Sequence, residues 1–250
     1  GVRVGASMGG RRDELADLGR DFDHMTERLG HLVEGQKRLL HDVSHEMRSP
    51  LARLHAAVDL ARQQPARSDD WLLRIERESE RMSQLVGELL TLSRLEAGIA
   101  DATESVDMAE LLADIVEDAR FEANSRHIRI EYCLGAMADI RANVDLLHRA
   151  IENVVRNAIR YSPDGGTVRI MAGKTGNTFQ IRVEDQGPRV DTHELELIFQ
   201  PFCCGSSSRP GDGHGLGLAI ARRVMQTMKG RIRATRGGNG GLVVDFELPA

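Results

Sequence analysis

A chain of 250 residues with 41% hydrophobic content can fill two modest cores, and only 4% aromatics leaves those cores to Leu, Val, Ile and Met. Its net charge of −5, with both signs interspersed, excludes the basic footprint of a nucleic-acid binder. Three cysteines, Cys133, Cys203 and Cys204, contain no CxxC pair and are odd in number, which argues against a disulfide framework and fits a reducing compartment.

No run approaches the ~18 apolar residues of a membrane span and no signal peptide is visible, so the chain as given is expected to be soluble. Residues 1–12 are Gly-rich and basic and are expected to be loose. From Asp13 a heptad follows, Leu15, Leu18, Phe22, Met25, Leu29 and Leu32, and this spacing predicts a coiled-coil seam. It continues through Gln36, Leu39 and Val43, with Gly30 and Gly35 as weak points. Sustained this long, the seam predicts a helix that relays movement and dimerises, in preference to an ordinary surface helix.

The same helix runs into His41-Asp42-Val43-Ser44-His45-Glu46-Met47-Arg48-Ser49-Pro50-Leu51, where apolar residues recur at Leu39, Val43, Met47, Leu51, Leu54 and Val58. At about 100° per residue, His45 falls opposite Val43 and Met47 and should face water. Glu46 is adjacent, and Arg48 and Ser49 follow one turn on. Pro50 cannot donate to the carbonyl of Glu46, so a weakened or bent turn is expected just after the histidine. Three readings are open for His45. It is part of a solvated face, or it shares a metal with His41 at i, i+4, or it is a nucleophile that accepts a phosphoryl group. Against the metal, Ser49 stands where a zinc-protease pattern would repeat its His. The nucleophile needs a nucleotide site elsewhere.

Pro65 stops this helix, and Ser68 or Asp69 can cap the next, which carries Leu72, Ile75, Met82, Leu85, Val86, Leu89 and Leu92. Two such helices alone expose a wide apolar stripe. Pairing two copies into a four-helix bundle buries it, so a homodimer is expected. Ala97–Asp107 has small and acidic residues without period and reads as a linker.

Beyond it the pattern turns mixed. Helices are expected over Met108–Asn124, Asp145–Tyr161 and Leu216–Met228. Strands are expected over His127–Leu134, Thr167–Lys174, Thr178–Asp185, Arg231–Thr235 and Leu242–Leu248, with a Gly-Asn turn between the second and third. Strands on one side and helices on the other make an α+β sandwich.

Four segments of this half carry unusual residues. Asn153 and Asn157 lie one turn apart, followed by Arg160 and Tyr161. Such carboxamides can donate to phosphate or coordinate Mg²⁺, although paired Asn on a polar helix face is also common. Glu184-Asp185-Gln186-Gly187-Pro188 ends a strand with a carboxylate that could accept from the amino group of a base. An ordinary turn would use the same residues. Phe199 and Phe202 form an aromatic pair. Gly213-His214-Gly215-Leu216-Gly217 leads a flexible loop into a helix N-terminus, where free N–H groups favour anions. It is neither a P-loop, since no Lys-Ser/Thr follows, nor the dinucleotide fingerprint, whose third Gly comes one residue later than Gly217.

Taken in sequence, His45-Glu46-x-Arg48-Ser49-Pro50, Asn153-xxx-Asn157, Asp185-x-Gly187-Pro188, Phe199-xx-Phe202 and Gly213-x-Gly215-x-Gly217 resemble the sensor histidine kinases of bacterial two-component systems. Each box is weak alone, and the five at these separations are highly specific. The wording of the histidine and asparagine boxes is similar to the envelope-stress (Cpx-like) branch. The resemblance implies the end of a HAMP relay helix in residues 1–34 and a dimerisation and phosphotransfer domain in 35–97. A linker would occupy 98–107 and an ATP-binding domain of the gyrase/Hsp90/histidine kinase type 108–250.

It also implies the roles. His45 would be the phospho-accepting nucleophile, Glu46 its base, and Ser49 the residue that positions water for dephosphorylating the partner. Asn157 would hold Mg²⁺, with Asn153 and Arg160 near the phosphates of ATP. Tyr161 would stack on adenine and Asp185 would accept from its amino group. Gly187, Phe199 and Leu216 would belong to the nucleotide site, and Gly213, Gly215 and Gly217 to the hinge of its lid. A homodimer would phosphorylate His45 and pass the group to an Asp of a response regulator. The parent protein would be inserted in the bacterial inner membrane upstream of residue 1, leaving this portion cytoplasmic.

Two departures stand out. Arg189 replaces the second Gly of the family's Asp-x-Gly-x-Gly, and Cys203-Cys204 replaces the Tyr/Phe-Arg that often follows the Phe pair. They motivate an alternative, a catalytically silent scaffold that only binds a regulator. An ATP-driven clamp of the gyrase/chaperone type would share the sandwich but lack the His45 box. Cys203 and Cys204 are expected as free thiols on the lid, and Cys133, in a strand, as shielded.

Overall fold

The computed structural model describes residues 14–64, 67–98, 103–203, 214–238 and 240–250. The chain divides between Ser79 and Glu80 into two compact units. The expectations for residues 1–12, for Pro65 and for Cys204 and Gly213 lie outside the described residues.

Two helices make the first unit. α1 spans Glu14–Gln63; α2 spans Ser68–Glu96 and continues into the second unit. The heptad and the apolar period around His45 therefore share one helix. Pro50 lies inside it, buried, and α1 continues past it to Gln63. The expected weak turn after His45 thus does not end the helix, because one lost hydrogen bond is small against about fourteen turns. α2 opens with Asp69 and Asp70 and carries Arg94 in its last turn, each charge complementing the helix dipole. Arg53 of α1 bridges to Glu78 of α2 at 2.9 Å, and Glu78 is buried, so this pair pins one helix to the other.

The second unit holds a small sheet and a large one. β1 (Glu104–Asp107) pairs antiparallel with β3 (Asp139–Ala142), with Val106 opposite Ile140 and both buried. Residues 104–107, read from sequence as the end of a linker, are therefore a strand. Its register with β3 recruits them, since four residues with one inward apolar side chain carry no period of their own. Asp107 also caps α3 (Met108–Asn124), accepting from the N–H groups of Ala109 and Glu110. β2 (Arg129–Leu134) is parallel to β4 (Thr167–Thr175). β5 (Thr178–Glu184), β7 (Leu242–Pro249) and β6 (Arg231–Arg236) complete the sheet in the order β2-β4-β5-β7-β6.

α4 (Val144–Tyr161), capped by Asn143, and α6 (Gly217–Thr227) pack side by side and contact this sheet; α5 (Glu194–Leu197) is a single turn. Val154, Val155, Ala158 and Ile159 of α4 meet a core that includes Ile170, Phe179, Ile181, Val183 and Phe246. The expected α+β sandwich is present, with a helical hairpin ahead of it. β2 is an edge strand, and Cys133 on it is exposed, which corrects the expectation that a strand position would shield it. Among the described residues no helix is long and apolar enough to cross a membrane.

Candidate active site

In the first unit, His45 is exposed, with Val43 and Met47 half-buried on the opposite side of α1, as the helical period requires. The His41 ring lies edge-on to it, centroids 4.4 Å apart at 64°. Among the described residues, no group of three or more His, Cys, Asp or Glu side chains is arranged to hold a metal. Ser49 is exposed one turn on, and its hydroxyl accepts a 2.6 Å hydrogen bond from Arg53. The hydrogen bond to Glu78 holds the Arg53 guanidinium above its ordinary pKa, against the effect of burial, and the charge of Glu46 adds to the same field. Ser49 and Glu46 thus belong to one network centred on Arg53, a residue outside the five sequence boxes.

In the second unit, α4 carries Asn153, Asn157, Arg160 and Tyr161 on its half-exposed side, while Val154, Val155, Ala158 and Ile159 enter the core. The amide nitrogen of Asn153 is buried without a hydrogen-bond partner. A Cβ at Gly217, the first residue of α6, would lie 3.4 Å from the Asn153 carboxamide. The glycine therefore lets the N-terminus of α6 approach the asparagine. That N-terminus has no side-chain cap: the preceding residue, Leu216, is fully buried and apolar. Gly215 has φ +67°, and a Cβ there would press on the Phe202 backbone at 3.0 Å. Its carbonyl accepts from the Phe202 N–H. Phe199 is buried with the Arg222 guanidinium 5.5 Å above its ring.

Asp185, 5% exposed, directly follows β5. The N–H groups of Gly187 (2.7 Å) and Leu242 (3.0 Å) both donate to its Oδ1. Among the described residues no hydrogen bond reaches Oδ2. Burial raises the carboxyl pKa, opposed by those two backbone donors. A Cβ at Gly187 would lie 3.0 Å from the Tyr161 carbonyl, and one at Gly241 would collide with the carbonyl of Asp185. Four of the five boxes thus meet through contacts among Asn153, Gly217, Tyr161, Gly187, Asp185, Phe202 and Gly215.

Residues 36–98 match the His Kinase A (phospho-acceptor) domain, and residues 142–250 match the histidine kinase-, DNA gyrase B- and HSP90-like ATPase family. The sensor protein PfeS of Pseudomonas aeruginosa is 37% identical over 248 residues, covering 99% of this chain and 54% of that protein. The sensor histidine kinase CpxA of Escherichia coli is 34% identical over 240 residues, covering 94% and 52%. The chain belongs to the sensor histidine kinases. It spans about half the length of these curated relatives. The likeness to CpxA supports the Cpx-like branch read from its boxes. The histidine kinase ThkA, solved in complex with the response regulator protein TrrA, shares the fold. Its TM-score is 0.68 at 22% identity over 90% of this chain and 63% of that one.

The histidine kinase residues fit a nucleotide. Asn153 has an orphaned amide, α6 an uncapped N-terminus and Asp185 an open oxygen, and the glycines leave a cradle that a Cβ would fill. The oxygen of Asn157 is a donor of the hard type that Mg²⁺ accepts. Arg189, the first departure from the family pattern, is exposed. Sequence reasoning missed Gly241, whose only local signal is the Gly-rich run 237–241 before a strand.

Proposed function

We propose that this chain is the catalytic region of a bacterial sensor kinase that binds Mg-ATP, phosphorylates His45 within a homodimer and hands the group to an Asp of a response regulator. The parent protein is a sensor of the inner membrane, and residues 1–34 are the end of its HAMP helix. Residues 35–97 form the dimerisation and phosphotransfer domain. The linker from 98 gives way to β1 at Glu104, and the ATP-binding domain follows.

One observation carries the reading: an exposed His45 beside Glu46 in the same chain as a buried Asp185 whose Oδ2 is open to a donor. His45 attacks the γ-phosphorus of ATP through one ring nitrogen. The N–P bond forms as the bond to the β,γ-bridging oxygen breaks, and ADP leaves. Glu46 takes the proton of the other ring nitrogen or holds it in place. Asp185 accepts from the adenine amino group and Tyr161 stacks on the base. Asn153 and Arg160 sit near the phosphates with Leu216 in the same site, and the hinge at Gly213, Gly215 and Gly217 lets a lid close. Mg²⁺ on Asn157 would offset charge on the transferring group, where positioning and electrostatics dominate. Ser49, held by Arg53, positions the water that dephosphorylates the regulator.

Incubation with γ-labelled ATP tests this. The label is expected to be acid-labile and alkali-stable, absent from His45→Gln, and ATP affinity in that variant should stay within about threefold. Acid-labile label retained by the variant moves the nucleophile to His41 or elsewhere, and no label on wild type favours the silent scaffold. Asn157→Ala should lose Mg²⁺-dependent labelling while remaining dimeric.

A further inference from the structure

We infer that Arg126 is a positioning residue for the nucleotide site: it fixes the C-terminal turn of α4, and through it Tyr161 and Asp185. This rests on the ATP-binding reading above.

A helix leaves its last carbonyls without intrahelical donors. α4 ends at Tyr161, within one turn of Asn157 and Arg160. Arg126, in the turn between α3 and β2, supplies the missing donors. One guanidinium nitrogen, Nη1, donates to the carbonyls of Ile159 and Arg160, both at 2.8 Å, and Nη2 donates to the carbonyl of Ser162 at 2.7 Å. Nε reaches Asp164 at 2.8 Å, but Asp164 is 77% exposed, so the three carbonyls matter more than the ion pair. The positive charge also faces the negative end of the helix dipole.

The clamp is itself anchored. The Arg126 N–H donates to the Ala123 carbonyl, and its own carbonyl accepts from Gly165 beyond the helix end. Because the bonded carbonyls lie on both sides of Tyr161, the backbone of Tyr161 cannot shift without breaking them. That backbone abuts Gly187, where a Cβ would come within 3.0 Å of the Tyr161 carbonyl. Gly187 in turn donates to Asp185 Oδ1. A planar fork is needed to reach three carbonyls at once, and the single ammonium of a lysine cannot replace it. Loss of the clamp should therefore weaken nucleotide binding and leave the chemistry at His45 alone.

The test compares wild type, Arg126→Lys and Arg126→Ala by titration with a fluorescent ATP analogue, by autophosphorylation kinetics and by amide hydrogen exchange without nucleotide. In Arg126→Lys, Kd and KM should rise about tenfold with kcat within about twofold, and amides 158–162 should exchange faster. Free guanidinium should lower KM for Arg126→Ala toward wild type but leave wild type unchanged. Kd and KM within about twofold in Arg126→Lys would overturn the role of Arg126, as would faster exchange with unaltered affinity. If Arg126→Ala does not fold, the lysine variant decides alone. A wild type that binds no nucleotide would sink the ATP-binding reading instead, so the two failures are distinguishable.

Discussion

Asp185 carries an energetic conflict that makes its role measurable. Its buried carboxyl is held above the ordinary 3.8, chiefly by desolvation, with the N–H groups of Leu242 and Gly187 pulling the other way. As pH rises above the ordinary aspartate range, the unfolded chain releases this proton first, so the native state binds more protons than the unfolded one. Stability from this group therefore falls until pH has passed the raised folded value, and the cost persists at neutral pH. Asn at this position keeps an oxygen for both backbone donors and loses the buried charge. Asp185→Asn should melt no lower than wild type at neutral pH, yet bind ATP at least about tenfold more weakly, as expected for one lost charged hydrogen bond. Thermal melts and nucleotide titration check both halves. Gly241→Ala should behave differently, because its Cβ collides with the Asp185 backbone. Overpacking of about 1–3 kcal/mol is expected, with nucleotide affinity lost as well. His45 and Asp185 were legible in the sequence because each sits in a short, spaced motif. Arg126 and Gly241 were not, since their meaning lies in contacts with Ile159 and Asp185, far away along the chain.

Periodicity revealed the long elements and failed on the short ones. α1 and α4 present apolar residues at helical spacing over several turns, so the spacing alone identifies their inward faces. β1 and β3 have four residues each, and their only inward pair is Val106 with Ile140. Nothing local distinguishes such strands from loop. Whether Cys133 is shielded was equally hidden, because strand order decides which strand is an edge. Native protein should accordingly be alkylated quickly at Cys133 regardless of nucleotide, while half-buried Cys203 should slow when Mg and a non-hydrolysable ATP analogue are added. Mass spectrometry of the modified peptides reads both rates, and a Cys133 rate that depended on nucleotide would contradict its place on the edge. Within α1, Gly30 and Gly35 are helical with open space around them. Alanine at either should stabilise the helix by about 0.5–1 kcal/mol, visible as slower amide exchange nearby.

Over the full chain, the two helices leave Leu51, Leu72, Val86 and Leu90 exposed, and large apolar side chains left in water call for a cover. A second copy is the proposed cover. Leu72→Glu combined with Val86→Glu should sediment at half the wild-type mass, with ATP affinity unchanged and His45 labelling strongly reduced. Persistent dimers in that variant would place the seam elsewhere.

α1 runs without interruption from Glu14 through His45. A rigid helix of this kind transmits angle as well as displacement. Each residue inserted between the N-terminal turns and His45 turns the upstream part by about 100° and moves it about 1.5 Å. Labelling of His45 in response to an upstream stimulus should then oscillate as alanines are added one at a time between Gly35 and Leu39. One or two extra residues put input and histidine out of phase, and about four bring them nearly back into phase, close to the 3.6-residue repeat. A response that declined steadily with length would mean that α1 acts as a tether, with its rotational phase carrying no signal.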